Sequence, residues 1–198
     1  MPIRILEASE GPWGDYGDIL RHGLSSHLEE SPDGLLQLER TGPYVPPISF
    51  PGFEVVVTDG CRRQLDASGL TGFAFKPAHK VRIVDLPWLT WDLTADEPQE
   101  YPDSGEPEDY LLEREHSREL ADAIGPLWQM VLSEAAKTER EQADFRWDDR
   151  VYLKTHTWTG ADIFRARGVG YVFVSDAAQD WLSQHFSEHV SFRDCPLR

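Results

Sequence analysis

The chain has 198 residues, 40% hydrophobic and 27% charged, with a net charge of −16 at pH 7. Such a composition excludes a disordered chain, and a domain of this length buries about 70% of its unfolded surface without a metal or disulfide. The acidity speaks against nucleic acid and anionic membranes, which carry the same sign. It favours a basic protein partner, or simply a soluble, self-repelling surface.

In chain order, Ile3 and Ile5 alternate with Arg4 and predict a short strand. Gly11, Pro12, Gly14 and Gly17 then break regular structure. The N-terminal segment has one early Arg and no long apolar run, so it reads as neither a signal peptide nor a membrane span. A reducing cytoplasm is the expected location. Ile19 to Leu28 read as a short helix, and Leu36 to Glu39 as a half-buried strand. Pro43, Pro46, Pro47 and Pro51 exclude a central strand from the stretch that follows, because proline cannot donate to a ladder.

Residues 53–76 form a first strand–helix–strand unit. Val55-Val56-Val57 is a β-branched run, and Thr58 or Asp59 can cap a helix over 60–68. Leu65 points inward and Cys61 behaves as a small buried hydrophobe. Gly69 suits the helix C-terminus, Gly72 turns the chain, and Phe73 and Phe75 share one face of a returning strand. Lys80 to Leu86 predict another strand, with Val81 and Ile83 on one face, closed by Trp88 and Trp91. Trp88 and Trp128 read as core residues.

Residues 92–122 hold twelve acids against Arg114 and Arg118. Proline and glycine make this a loop up to Glu108. Leu120, Ile124, Leu127, Trp128, Val131 and Ala135 then follow helical spacing, with Pro126 in the first turn of a second helical segment. Lys137 to Asp144 read as a solvated helix end and loop, and Val151 to Thr157 as a strand.

Residues 170–193 repeat the first unit. Val174 lies 117 residues after Val57, and on that register Val55, Val57, Asp59, Leu65 and Phe75 match Val172, Val174, Asp176, Leu182 and Phe192. Ser175 or Asp176 is the second cap, Trp181 lies on the second helix, and Val190 and Phe192 share a strand face. The expectation is an α+β fold in one domain, 1–198. Two similar strand–helix–strand units pack around mixed or antiparallel sheet, with an acidic loop and helical insert at 92–145 between them.

No motif commits the chain to catalysis, so no catalytic residue, cofactor or metal is expected. Gly168-Val169-Gly170 is a turn, not a nucleotide cradle. His185 and His189 read as surface histidines, and Glu113, Glu115, His116 and Glu119 as a solvated helix face. Asp148 and Asp149 near His156 and Asp162 reflect the abundance of acids as well as they would an acid–base set.

The run LERTGPYVPPISFPGFEVVVTDGCRRQLDASGLTGFAFKP and the closing ADIFRARGVGYVFVSDAAQDWLSQHFSEHVSFRD resemble bacterial immunity proteins that neutralise polymorphic toxins. The likeness covers 38–90 and 158–194, and its motifs are mostly structural. It implies a lobe built of strand, "VS" or "VT" cap, short helix and "GxxF" strand, preceded by a motif that Asp162-Ile163-Phe164-Arg165 matches. Some members carry a paired CxxCG zinc motif between lobes, where this chain has its acidic insert. No catalytic residue follows from the likeness. The function expected is a non-catalytic cytoplasmic binder of a basic toxin domain, using Tyr101, Asp103, Glu106, Glu108, Asp109 and Glu113. An alternative is an enzyme of unrecognised class with His156, Asp162 and Arg165 in a cleft between the repeats, or a self-associating module.

Overall fold

The structure, a computed structural model, describes residues 3–25, 28–29, 31–140 and 151–198. Among the described residues twelve strands and five helices follow one another as β1 (Ile3–Ala8), α1 (Asp15–His22), β2 (Gln37–Gly42), β3 (Ile48–Ser49), β4 (Val56–Thr58), α2 (Asp59–Ala67), β5 (Phe73–Pro77), β6 (His79–Asp85), α3 (Asp109–Leu112), α4 (Arg118–Ile124), β7 (Leu127–Leu132), β8 (Glu134–Arg140), β9 (Val151–Leu153), β10 (Ile163–Arg167), β11 (Val172–Ser175), α5 (Asp176–Phe186) and β12 (Val190–Asp194). Short 3-10 turns lie at Trp88–Thr90 and Thr155–Thr157. The class is α+β, with mixed and antiparallel sheets. Among the described residues no helix is long and apolar enough to cross a membrane. The chain forms two compact units, one of Met1–Ser9, Leu65–Ala74 and Val131–Arg198, the other of Glu10–Gln64 and Phe75–Met130.

The first of these holds a six-stranded sheet in the order β12-β1-β11-β10-β8-β9. β1 runs antiparallel to both β11 and β12, so those two strands are parallel, joined by α5. Ile3 and Ile5 on β1 are buried with Phe164, Phe173, Ala136 and Leu153. Phe164 stacks on Phe173 at 5.7 Å and on Trp158 at 6.1 Å, which fills the sheet face with flat apolar area. Ser175 caps α5 by accepting the Ala178 N–H at 3.3 Å.

The other unit contains β2 paired in parallel with β6, and the sheet β3-β4-β7-β5. Leu38 to Gly42 of β2 are all buried. Arg40 is among them, 1% exposed, its Nη2 donating to the Arg21 carbonyl at 2.9 Å. Burial lowers its guanidinium pKa to about 10, because the charged form has lost its water. Thr58 caps α2 by accepting the Cys61 N–H at 3.3 Å.

Both strand–helix–strand units stand where the repeat puts them: the bounds of β4, β5 and the start of α2 reappear 117 residues later within β11, β12 and α5. In each case a strand from elsewhere in the chain lies between the two, β7 between β4 and β5, and β1 between β11 and β12.

Several expectations are corrected. The first helix is Asp15–His22, not 19–28, since it starts beyond Gly14 and stops at Gly23, whose φ is 74°. The spacing that suggested helix through Ala135 breaks at Gly125, φ 77°, and Leu127–Leu132 is a strand. Leu127 and Met130 are buried three apart, which mimics a helix period, but β4 offers a ladder and the Met130 N–H donates to Val55 at 2.8 Å. Lys137 to Arg140 belong to β8, and 141–144 lie outside the described residues. The strand predicted to Thr157 ends at Leu153. Val81 is 41% exposed while Ile83 is buried, because the β2–β6 register skips it: Leu38 pairs with Lys80 and Glu39 with Arg82. Trp88 is core as expected, whereas Trp128 is half-buried on the surface of β7.

Candidate functional site

Residues 92–108 form no helix or strand, and α3 and α4 follow. The loop rests on an aromatic base. Trp88 and Tyr110 are buried with Leu20 and Leu86, and Trp13, Tyr16, Tyr44 and Trp91 pack against them. Trp91 lies 6.3 Å from Tyr110 and 5.7 Å from Trp13, and Tyr44 meets Trp88 edge-on at 5.7 Å.

Upon this base the backbone is tied down by side chains. The N–H groups of Asp103 and Ser104 donate to the Glu113 carboxylate at 3.1 and 3.3 Å. The Gly105 N–H donates to the Pro102 carbonyl, and the Glu106 N–H to the Ser104 hydroxyl, both at 3.0 Å. Ser104 in turn donates to Asp109. Tyr110 donates its hydroxyl to the Glu100 carbonyl, and Arg114 forms an ion pair with the Glu100 carboxylate. The Tyr110 hydroxyl is held far above its ordinary pKa, first by burial and then by Glu100.

Behind the loop, Arg82 donates to the carbonyls of Leu112 and Arg114 at 3.1 and 3.0 Å while its Nε meets Glu39 at 3.1 Å. Glu39 is buried and Arg82 half-buried, so this ion pair, with the two carbonyl bonds, fixes the end of α3 to β6. His116 accepts the Ile83 N–H at 2.9 Å, and the Ser117 N–H donates to Ile83 at 2.7 Å, which covers the free edge of β6.

The six predicted partner-contact residues thus fall into two kinds. Asp109 and Glu113 accept hydrogen bonds inside the loop. Asp103, Glu106 and Glu108 are exposed, and Tyr101 is 45% exposed with its ring edge-on to Tyr16 at 5.1 Å. Tyr101, Asp103, Asp109, Tyr110, Glu113 and Arg114, with Pro102, line a polar recess of about 220 Å³.

Other predicted constellations have structural roles. Glu113, Glu115 and His116 are not helical, so the expected helix face is a turn with only Glu119 on α4. His185 stacks on Trp181 at 4.2 Å, and His189 lies beyond the end of α5. Among the described residues no group of His, Cys, Asp and Glu could hold a metal ion. Asp148 and Asp149 lie outside the described residues. Asp162 accepts the Thr71 N–H and hydroxyl on one oxygen, at 3.0 and 2.8 Å, and the Ser175 hydroxyl on the other at 2.8 Å. It latches a turn to the cap of α5. His156 sits exposed on the 3-10 turn Thr155–Thr157, and Arg165 pairs in β10 with Val172. Asp59 does not cap α2. It takes the Trp128 indole N–H at 3.1 Å and ion pairs with Arg62 and Arg63.

No protein-family model matches the chain, and no curated protein matches it.

Sequence reasoning passed over Trp13, Tyr16 and Arg82. All three act through backbone carbonyls distant in the chain, which leave no local pattern. The one sequence signal was the density of aromatics beside the acidic run.

Proposed function

We propose that this chain is a non-catalytic binding protein of the immunity type, whose acidic loop covers a basic surface on a cognate toxin domain. One observation carries the reading. The amides of 103–106 are all engaged within the loop, so Asp103, Glu106 and Glu108 project from a backbone already held in place. Twelve acids in 92–122 concentrate the field there. A fixed negative patch accelerates encounter with a positive one, and a half-exposed ring such as Tyr101 supplies an anchor once water is excluded. Action in the cytoplasm fits the two cysteines, which are free and buried.

The test replaces Asp103, Glu106 and Glu108 by Ser and leaves Asp109 and Glu113 to hold the loop. Binding is measured to a toxin domain whose toxicity co-expression of this chain relieves. Association slows by about tenfold or more at low salt, and its salt dependence flattens. An on-rate equal to that of the unaltered protein at low salt overturns the proposal.

A further inference from the structure

β12 and β9 are the outer strands of the six-stranded sheet, yet the chain joins them. β12 ends at Asp194, and after Cys195 residues 196–198 lie along β9, with Leu197 bridged in parallel to Leu153. Leu153 donates its N–H to the Pro196 carbonyl and accepts the Arg198 N–H, both at 2.9 Å. The Thr155 N–H and hydroxyl donate to the Arg198 carbonyl at 2.8 and 2.9 Å. The strand that begins as β12 is therefore bonded to β1 on one side and β9 on the other, and the sheet closes into a barrel. The closing segment buries little. Pro196 and Arg198 are exposed, and Leu197 is 38% exposed. Arg198 lies 3.7 Å over the Tyr152 ring and pairs with Glu139 at 3.4 Å. A surface segment held by polar bonds, with little apolar burial, opens at lower free energy than the core it covers. Beneath it Cys195 belongs to one buried cluster with Ile3, Ile5, Leu153 and Phe173. Its Sγ lies 3.5 Å from the Pro196 carbonyl, the group that accepts from Leu153.

We infer that residues 196–198 are a releasable strap: they seal the sheet into a closed barrel, and they let go of β9 as a unit while every other strand pairing stays intact. Release gives the barrel a second form, with a free edge at β9 and the Cys195 side chain open to water. The opening has a natural limit. On the near side of Cys195, β12 keeps its ladder to β1 from Arg4 opposite Asp194 to Ala8 opposite Val190, and Arg193 holds Glu7 at 2.8 Å. On the far side, β9 keeps its pairing with β8, Thr138 opposite Leu153. Only the seam between them lacks a buried apolar contact of its own. Cys195 reports the state of the seam, because its backbone moves whenever Pro196 leaves Leu153. In the sealed form the thiol is inert, since burial pushes it above its ordinary pKa.

The experiment uses the full chain and reads two signals. One is hydrogen exchange at the amides of Leu153, Thr155 and Arg198 against those of β11 in the middle of the sheet. The other is the rate at which iodoacetamide alkylates Cys195, followed by mass spectrometry of its peptide. In the unaltered protein the seam amides and Cys195 open with little dependence on urea, because little surface is exposed, while β11 exchanges only with the steep urea dependence of global unfolding. Thr155→Val keeps the β-branched shape at an exposed position and removes the hydroxyl bond to Arg198. Seam exchange and Cys195 alkylation then speed up about fivefold, the loss expected for one net hydrogen bond, and β11 stays within about twofold. Arg198→Ala moves both signals in the same direction. A chain ending at Cys195 alkylates fastest and keeps β11 protected. The strap is overturned if seam and β11 amides share one rate and one urea dependence. It is equally overturned if Thr155→Val changes neither signal, or if the shortened chain loses protection in β11.

Discussion

The two strand–helix–strand modules share a plan and differ in what completes it. In each, a hydroxyl at the last strand residue caps the helix, Thr58 in one and Ser175 in the other. A strand from elsewhere is inserted between the flanking strands of each. The inserted strands have different chemistry: Trp128 of β7 stands opposite Val57, and Arg4 of β1 stands opposite Val174. Around Trp128 gathers a polar knot in which Arg62 lies 4.6 Å over the indole and Asp59 holds both. Arg4 instead reaches Asp194 at 2.9 Å along the ladder. The return turns differ too. Gly72 has a φ of 98°, and a Cβ there would lie 2.3 Å from the Ile163 carbonyl oxygen. The matching residue in the second module is His189, which needs no such freedom. The pattern of hydrophobes and caps thus specifies a module, while its neighbours specify its details.

The largest break in this comparison comes at the turns. Gly72→Ala costs about 3 kcal/mol or more, from a strained φ together with backbone overlap, whereas His189→Ala meets neither cost and is the milder change. Urea unfolding of the two variants measures the difference. Comparable effects at both positions would mean the modules turn alike.

Next in size is the latch. Asp162→Ala removes bonds to Thr71 and Ser175 and is expected to lower stability by about 2 kcal/mol. Asp176→Ala, in the first turn of α5, costs well under about 1 kcal/mol, because a charge near a helix N-terminus contributes only a few tenths. Calorimetry on the pair checks the order.

The caps come third. Thr58→Ala and Ser175→Ala each cost about 1 kcal/mol. Ser175 is the more costly, since its hydroxyl also serves Asp162. Equal losses would show the latch to be idle.

The smallest effect is chemical. Cys61 and its counterpart Ala178 are both buried, at 2% and 0% exposure. Burial pushes the Cys61 thiol up to about 12, because the thiolate would lose its water. The native protein therefore resists alkylation at Cys61 at pH 8, and only unfolding or a pH approaching 12 brings reaction. Mass spectrometry of peptides alkylated with and without urea measures this.

Local patterns were legible wherever the physics is local. The β-branched runs before Thr58 and Ser175, Gly69 after α2, and the prolines of 43–51 each specify backbone shape through their own sterics. The reading went wrong where a distant segment decided. Leu127–Leu132 has the spacing of a helix and became a strand because β4 was there to pair with it. Trp128 looks like core and lies half-buried beneath Arg62. At the acidic loop, sequence exposes the charge and the neighbouring aromatics. It does not reveal that Glu113 and Asp109 accept hydrogen bonds from Asp103 and Ser104 while the Asp103, Glu106 and Glu108 side chains are exposed.

By itself, then, the order of residues determined the α+β class, the two modules and the site of the negative charge, because propensity, capping and electrostatic density act over a few neighbours. Tertiary structure alone decided which strand fills each module, which carboxylates are acceptors, and that Trp13 and Tyr16 grip the loop. Those outcomes depend on pairing groups far apart in the chain, and a buried N–H or carbonyl takes whichever partner the fold brings within about 3 Å.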